Sequence, residues 1–259
     1  MGTSTSNSGQ NGGTPLVPSW LADEPAEQTP REEQPIDPKR FMVPRRNFTR
    51  YINSGEGRSL RRATSGYVRN SLGGAHNATV RFGEARNSTA RMLSLFNGFA
   101  THGISESQRK FQLGNIIGKP ADEAFLSIME FVCPDGGSVD EGIARDSYID
   151  AIAEFPDMES KSIDEFTPAE FLAFTEMYMT NVIEGRLIND IGNKLISLPN
   201  DIASINNLQD QIKEYIRGSV SDAVARLKID IANIDSSQAR SITDSVYREA
   251  YELLAETEE

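Results

Sequence analysis

The pattern of apolar positions between residues 56 and 99 predicts two helices. Residues Arg58 to Leu72 place apolar or small side chains at the i, i+3, i+4, i+7 spacing of one helix face, and Gly73-Gly74 then interrupts the pattern. The same spacing returns in the next stretch, at Ala78, Phe82, Ala85, Thr89, Leu93 and Phe96. Because the connection is short, the two helices are expected to pack as an αα-hairpin.

The rest of the chain repeats the helical pattern in longer segments. Helix starts are predicted at Lys119-Pro120, with proline as the first helical residue, at Ser138 and at the capping box of Thr167 and Glu170. Long helices are predicted from this capping box, along residues 205–231 and along residues 242–253. Long helices joined by short connections form bundles, so the sequence predicts an all-α fold with no strand.

The N-terminal segment, residues 1–40, lacks this periodicity. Residues 1–13 consist mainly of Gly, Ser, Thr and Asn, and residues 22–38 are rich in Pro and Glu. Neither stretch has enough apolar surface to offset the entropy lost on ordering, so we expect a disordered tail. An apolar island interrupts this tail and docks either on the protein's own body or on a partner; it comprises Leu16, Val17, Trp20 and Leu21.

Charge divides the remaining chain into a basic and an acidic part. Residues 39–110 carry a net charge of +11 and residues 111–259 carry −18, within a total of −12. We therefore expect a basic helical hairpin over residues 41–103 and an acidic helical bundle over residues 104–259. Such asymmetry is typical of nucleic-acid binding or of two modules that attract each other. The possible contact face of the hairpin consists of Arg58, Arg61, Arg62 and Arg69.

The arginine-rich hairpin permits two interpretations. Arginines on a helix can bind a phosphate backbone, and the interleaved aromatic residues Tyr51, Tyr67 and Phe82 could stack on bases. However, the acidic bundle would repel a polyanion. The arginines could equally pair with acidic helices of the same chain or of a partner, so nucleic acid is possible but less expected than protein.

Residues suited to catalysis or cofactor binding are sparse. Gly55-Glu56-Gly57 lacks the Lys-Ser/Thr pair and the preceding strand of a phosphate-binding loop. The two histidines, His76 and His102, are too few for a zinc site. The only cysteine, Cys133, lies in an apolar run, where a buried and inert thiol is expected. We therefore expect a non-enzymatic, cofactor-free protein of a reducing, cytoplasmic compartment.

One row of acidic residues follows a helical repeat. Asp146, Asp150 and Glu154 fall at i, i+4 and i+8, so they would line one face of a helix. Paired carboxylates can perform acid–base chemistry or bind a metal ion. Rows of this kind on an acidic surface are usually solvated, and that is the expectation here.

Two stretches of the sequence resemble the QatB family of the bacterial Qat anti-phage system. The first is the opening M-G-T-S-T-S with the later T-P-L-V-P-S-W, and the second is Tyr67 to Gly74, Y-V-R-N-S-L-G-G, at the end of the basic helix. The resemblance covers the tail and the basic segment. It implies a defence operon whose other products are an ATPase, a protein similar to the deazaguanine enzyme QueC (QatC) and a TatD-like nuclease. It also implies that the QatB component has no enzymatic fold.

The resemblance further implies a role for the N-terminal residue. QueC-like enzymes activate a deazaguanine carboxylate with ATP, and in the defence-associated relatives the accepting amine is implied to be a protein N-terminus. Gly2 suits this role, because a small second residue permits removal of Met1 and leaves an α-amino group with a pKa of about 7.7–8.0. The uncharged residues Thr3, Ser4, Thr5 and Ser6 could thread into the QueC-like partner. The alternative is that the tail is only a flexible segment.

Overall fold

The computed structural model describes residues 37, 39–192, 202–234 and 237–256 of the 259-residue chain. Helices account for most of this part. The α-helices are α1 Met42–Ser54, α2 Gly57–Gly66, α3 Ala75–Arg81, α4 Gly83–His102, α5 Ile104–Lys110, α6 Ala121–Val132, α7 Val139–Glu154, α8 Pro168–Leu187, α9 Ile202–Leu227 and α10 Ala239–Ala255. Two π-helices, Tyr67–Ser71 and Ile188–Gly192, continue α2 and α8, and two short 3₁₀ helices span Ile163–Glu165 and Ile231–Asn233.

The all-α fold predicted from the sequence is confirmed. Among the described residues no strand forms, and the extended backbone contributes only an isolated bridge between Pro120 and Ser162. The disordered tail was predicted for residues 1–40, of which residues 1–36 and 38 lie outside the described residues.

Capping residues set the start of the main acidic helices. The hydroxyl of Ser138 accepts from the backbone N–H of Glu141 at the start of α7, and Thr167 accepts from Glu170 at the start of α8. In both cases the glutamate accepts in return from the N-cap backbone, so both predicted caps are confirmed as capping boxes. Helix α6 begins one residue later than predicted, with Pro120 at its N-cap.

Helix pairing in the basic segment differs from the expected arrangement. A hairpin is present, but α2 pairs with α1, whereas α4 packs on α8 and α10. The predicted second helix is also divided into α3 and α4 at Phe82, whose backbone leaves the helical region. The Phe82 ring lies against Tyr247 and Tyr251 of α10, with centroids 6.1 and 5.5 Å apart. Helices α3 and α4 both pack on α10, and the Phe82 ring is buried at the point where the helix is interrupted between them.

An aromatic cluster joins the basic and acidic segments into one core. Phe96 of α4 stacks on Phe171 of α8 at 4.6 Å between centroids, and Phe125 of α6 lies 4.4 Å from Phe174. All four rings are almost fully buried, and such pairs add to the free energy gained from apolar burial. Residues Pro38–Glu259 accordingly form one compact unit, and the boundary that the sequence predicts at residue 103 falls inside it.

Two further sequence predictions concern Cys133 and the membrane. Cys133 is confirmed as a buried thiol; burial raises its pKa, and its Sγ lies 3.7 Å from the carbonyl oxygen of Ala144. None of the described helices combines the length and the apolar content needed to cross a bilayer.

Candidate partner interface

Partly buried polar contacts attach the α1–α2 hairpin to the rest of the fold. The Tyr51 hydroxyl lies 3.0 Å from Oε1 of Gln211 in α9, to which it donates. Ser65 of α2 donates to the carbonyl oxygen of Ala255 in α10 at 2.7 Å. Because these contacts reach two different helices, the hairpin has a fixed orientation on the bundle.

The two π-helices meet at a polar junction formed by Arg45, Tyr67, Arg186 and Asp190. The Tyr67 hydroxyl donates to Oδ2 of Asp190 at 2.9 Å, and Nε of Arg186 lies 3.3 Å from the same oxygen. Arg45 of α1 donates to the Asp190 carbonyl oxygen at 2.9 Å. Burial and the Asp190 carboxylate raise the pKa of Tyr67 well above its usual value, so Tyr67 remains a neutral donor.

Part of the positive charge in the basic segment is used inside the molecule. Besides Arg45, Arg86 of α4 makes a bidentate contact with Asp244 of α10, with two nitrogen–oxygen distances of 2.7 Å. Bidentate arginine–carboxylate pairs are among the stronger polar contacts in proteins. Ionic and hydrogen-bonding contacts between the basic and acidic segments therefore contribute to the stability of this fold.

The four arginines predicted as a contact face differ from Arg45 and Arg86 in their exposure to solvent. All four are exposed: Arg58, Arg61, Arg62 and Arg69. The side chains of Arg58, Arg62 and Arg69 make no hydrogen bond or ion pair with the part of the chain that the structure describes. Helix α1, which pairs with α2, carries two further exposed arginines. We call the six residues the arginine surface: Arg46, Arg50, Arg58, Arg61, Arg62 and Arg69.

Sequence reasoning missed Arg46 and Arg50 because it did not identify α1. The signal was present: Phe48, Tyr51 and Ile52 follow the spacing of one helix face and are buried. Gly55, at a φ of 66°, ends the helix in the left-handed conformation that glycine adopts easily. Pro44 obscured the pattern, although proline is tolerated in the first turn of a helix.

The aromatic residues proposed for base stacking are not accessible. Tyr51 and Phe82 are 0% and 3% exposed, and Tyr67 is 2% exposed. The expectation that these rings could stack on bases is wrong, because all three serve as core or junction residues. The arginine surface can therefore bind carboxylates or phosphates through charge and hydrogen bonds, without the stacking platform typical of single-strand binding proteins.

The predicted tail sites lie outside the described residues. These sites are the modification acceptor Gly2, the adjacent Thr3, Ser4, Thr5 and Ser6, and the apolar island of Leu16, Val17, Trp20 and Leu21. In the sequence these sites precede α1, which carries Arg46 and Arg50.

Comparison with models of known protein families shows to which family the chain belongs. The family model described as "Qat anti-phage system associated protein QatB" matches residues 73–254, from two residues before α3 almost to the end of α10. The chain belongs to the QatB family. The matched region thus consists mainly of the acidic helices of QatB, in which the sequence showed no motif of the family. Most of the residues that resemble the family by eye, in the tail and at the end of the basic helix, lie before residue 73. No curated protein and no solved structure matches the chain.

Membership of this family makes the chain a component of an anti-phage defence system. Other subunits of the Qat system are accordingly its expected partners. The arginine surface is an exposed, positively charged region of the described QatB fold.

Proposed function

We propose that this QatB protein is a non-enzymatic, cytoplasmic subunit of an anti-phage complex and that it presents Gly2 to a QueC-like partner. The helical body would act as the docking platform, and the tail would act as the substrate. Family membership supports the defence role. A small second residue and an uncharged Thr3–Ser6 segment support the substrate role.

The arginine surface is the observation that carries the docking part of this proposal. Arg58, Arg62 and Arg69 are exposed and are not used within the described fold, whereas the hairpin that bears them is fixed to α9 and α10. A preorganised charged surface loses less entropy on binding than a flexible one. An acidic face of the QueC-like partner would fit it, and the ATPase or the TatD-like nuclease could bind elsewhere on the body.

Docking through α1 and α2 would bring the tail close to the partner. Residues 2–41 can extend by at most about 3.5 Å per residue, which is ample to reach an active site on a bound neighbour. Tethering also raises the effective concentration of the N-terminal amine at that site. The apolar island would fix the point at which the tail enters.

The proposed reaction is acyl transfer to the N-terminal amine. After removal of Met1, the nitrogen of Gly2 attacks the carboxyl carbon of an ATP-activated deazaguanine carboxylate. An amide bond forms, the nitrogen loses a proton, and the activating phosphoryl group leaves with the former carboxylate oxygen. An amine with a pKa of about 7.7–8.0 is partly unprotonated near neutral pH, as this attack requires.

Charge reversal on the arginine surface tests the docking step. Full-length protein carrying Arg58→Glu and Arg62→Glu should capture about tenfold less QueC-like protein from co-expressing cells than the unchanged protein. The matched control is Arg109→Glu with Lys110→Glu on α5, which changes the charge equally at two exposed positions. Equal capture by the α2 variant and the unchanged protein would contradict docking through this surface.

A helical nucleic-acid-binding adaptor is the second candidate function, because the same exposed arginines could contact phosphates. Binding of this kind would be independent of base sequence and would weaken steeply with salt. A gel-shift assay with DNA and RNA at about 150 mM salt separates the two proposals. Sub-micromolar affinity that is lost in the Arg58→Glu, Arg62→Glu protein would favour the adaptor.

A further inference from the structure

A polar cavity of about 490 Å³ lies between α7, α8 and α9, apart from the arginine surface. Acidic side chains from all three helices line it. Helix α7 contributes Asp146, Asp150 and Glu154, helix α8 contributes Glu184, and helix α9 contributes Asp210. Lys213 of α9 is the only cation among the described residues that line the cavity.

The carboxylates in this cavity outnumber the charge that can neutralise them. Lys213 is engaged by Glu154, with its Nζ 2.5 Å from each carboxylate oxygen. Asp146, Asp150, Glu184 and Asp210 make no side-chain hydrogen bond or ion pair with the described residues. Burial raises the pKa of Glu184 to about 7, and the carboxylates of Glu154, Asp150 and Asp210 add to this effect while Lys213 opposes it. A cation entering the cavity would relieve this repulsion.

A buried amide provides an independent sign that the cavity accepts a hydrogen-bond donor. Asn181 of α8 lines the cavity and is 4% exposed. Its Nδ2 donates to the carbonyl oxygen of Ser147 at 3.5 Å, but its Oδ1 has no partner among the described residues. A buried oxygen without a donor destabilises the fold, and an ammonium group in the cavity would supply the missing donor.

The arrangement of the carboxylates indicates an elongated organic cation in preference to a metal ion. Within the part of the chain that the structure describes, no three acidic, histidine or cysteine side chains are grouped closely enough to hold a metal. Asp146, Asp150 and Glu154 instead follow α7 at four-residue intervals, about 6 Å apart along the helix axis. Such a row suits a flexible chain that carries separated positive charges.

We propose that this cavity binds a small aliphatic polyamine through its primary ammonium groups. One ammonium group would lie near Glu184 and Asn181, and the other would extend along the α7 row towards Asp146. The site would let this protein respond to the polyamine content of the cell, and it is independent of the proposed role of Gly2.

Calorimetric titration of the full-length protein with putrescine and spermidine tests the proposal, at pH 8 and about 150 mM salt. Saturable binding of one molecule per chain is expected, and spermidine should bind more tightly because it carries more charge. MgCl₂ serves as the probe for unspecific attraction of cations. Magnesium binding as tight as spermidine binding, or no binding of either polyamine, would overturn the proposal.

Variants identify the cavity as the site. Asp150→Asn and Glu184→Gln should each lower spermidine affinity about tenfold, because each removes a charge-assisted hydrogen bond. The matched control Asp222→Asn removes one exposed charge of α9 that does not line the cavity, and it should bind normally. Far-UV circular dichroism checks that each variant is folded. Unchanged affinity in the folded Glu184→Gln protein would place the polyamine elsewhere and refute the assignment.

Discussion

Replacing Glu184 by glutamine should make the protein more stable at pH 8 and much less so at pH 5. The pKa of Glu184 is raised from 4.5 to about 7 in the folded chain, first by burial and then by the neighbouring carboxylates. An acid with a raised pKa favours folding while it is protonated. Its contribution is fully present below about pH 4.5 and is lost as the pH rises through 7. Glutamine resembles the protonated acid and does not titrate, so it avoids that loss.

The size of the effect follows from the two pKa values. The difference between 4.5 and about 7 corresponds to an upper limit of about 3 kcal/mol, at about 1.4 kcal/mol per pH unit. Glu184 keeps some contact with solvent at the cavity, so screening reduces the expected gain to about 1–2 kcal/mol. For a domain of this size, 1 kcal/mol raises Tm by roughly 2–4 °C.

The assay is thermal unfolding of the two full-length proteins at pH 5 and pH 8, without polyamine. The Glu184→Gln protein should show a Tm roughly 2–8 °C above that of the unchanged protein at pH 8 and a much smaller difference at pH 5. Asp222→Asn is the control, because it removes one exposed charge and should shift Tm equally at both pH values. An equal Tm for Glu184→Gln and the unchanged protein at pH 8 would refute the electrostatic reasoning about the cavity.

Three other predictions concern the junction, the thiol and the basic helices. Tyr67→Phe removes the hydroxyl that donates to Asp190, so the free energy of unfolding measured in urea should fall by about 1–3 kcal/mol. An unchanged free energy of unfolding would mean that the junction does not stabilise the fold. Cys133 is buried with a raised pKa, so Ellman's reagent should react slowly with the native protein and fully after denaturation; rapid native reaction would contradict this. The protein carrying Arg58→Glu and Arg62→Glu should have a Tm within about 2 °C of that of the unchanged protein, since both side chains are exposed. A larger decrease in Tm would indicate that these arginines stabilise the fold.

Local chemistry made much of the fold predictable from sequence. The caps at Ser138 and Thr167 each depend on a glutamate three positions further along the chain, and the apolar spacing of α4, α8 and α10 repeats within single helices. Pairing of helices was less predictable, because it depends on distant residues. The position of Phe82 against Tyr247 and Tyr251 separates α3 from α4, and nothing near Phe82 in the sequence indicates that contact.

The candidate sites show the same division between local and distant information. The arginines of α2 and the Asp146, Asp150, Glu154 row could be found from spacing within one helix. The cavity could not be found in this way, because Glu184 and Asp210 join the row only when α8 packs on α7 and α9 packs on α8. The stacking role suggested for Tyr67 was wrong for a related reason, since its partner Asp190 lies 123 positions away in the sequence.

The mass of the N-terminal peptide tests the central claim most directly. The protein is purified from cells that co-express its operon neighbours, digested, and its N-terminal peptide is analysed by mass spectrometry. The account predicts loss of Met1 and an added mass on Gly2, dependent on the QueC-like partner and on ATP. Gly2→Glu, which blocks removal of Met1, should abolish both the adduct and protection from phage. An unmodified N-terminal peptide in the active complex, together with full protection by Gly2→Glu, would contradict the account.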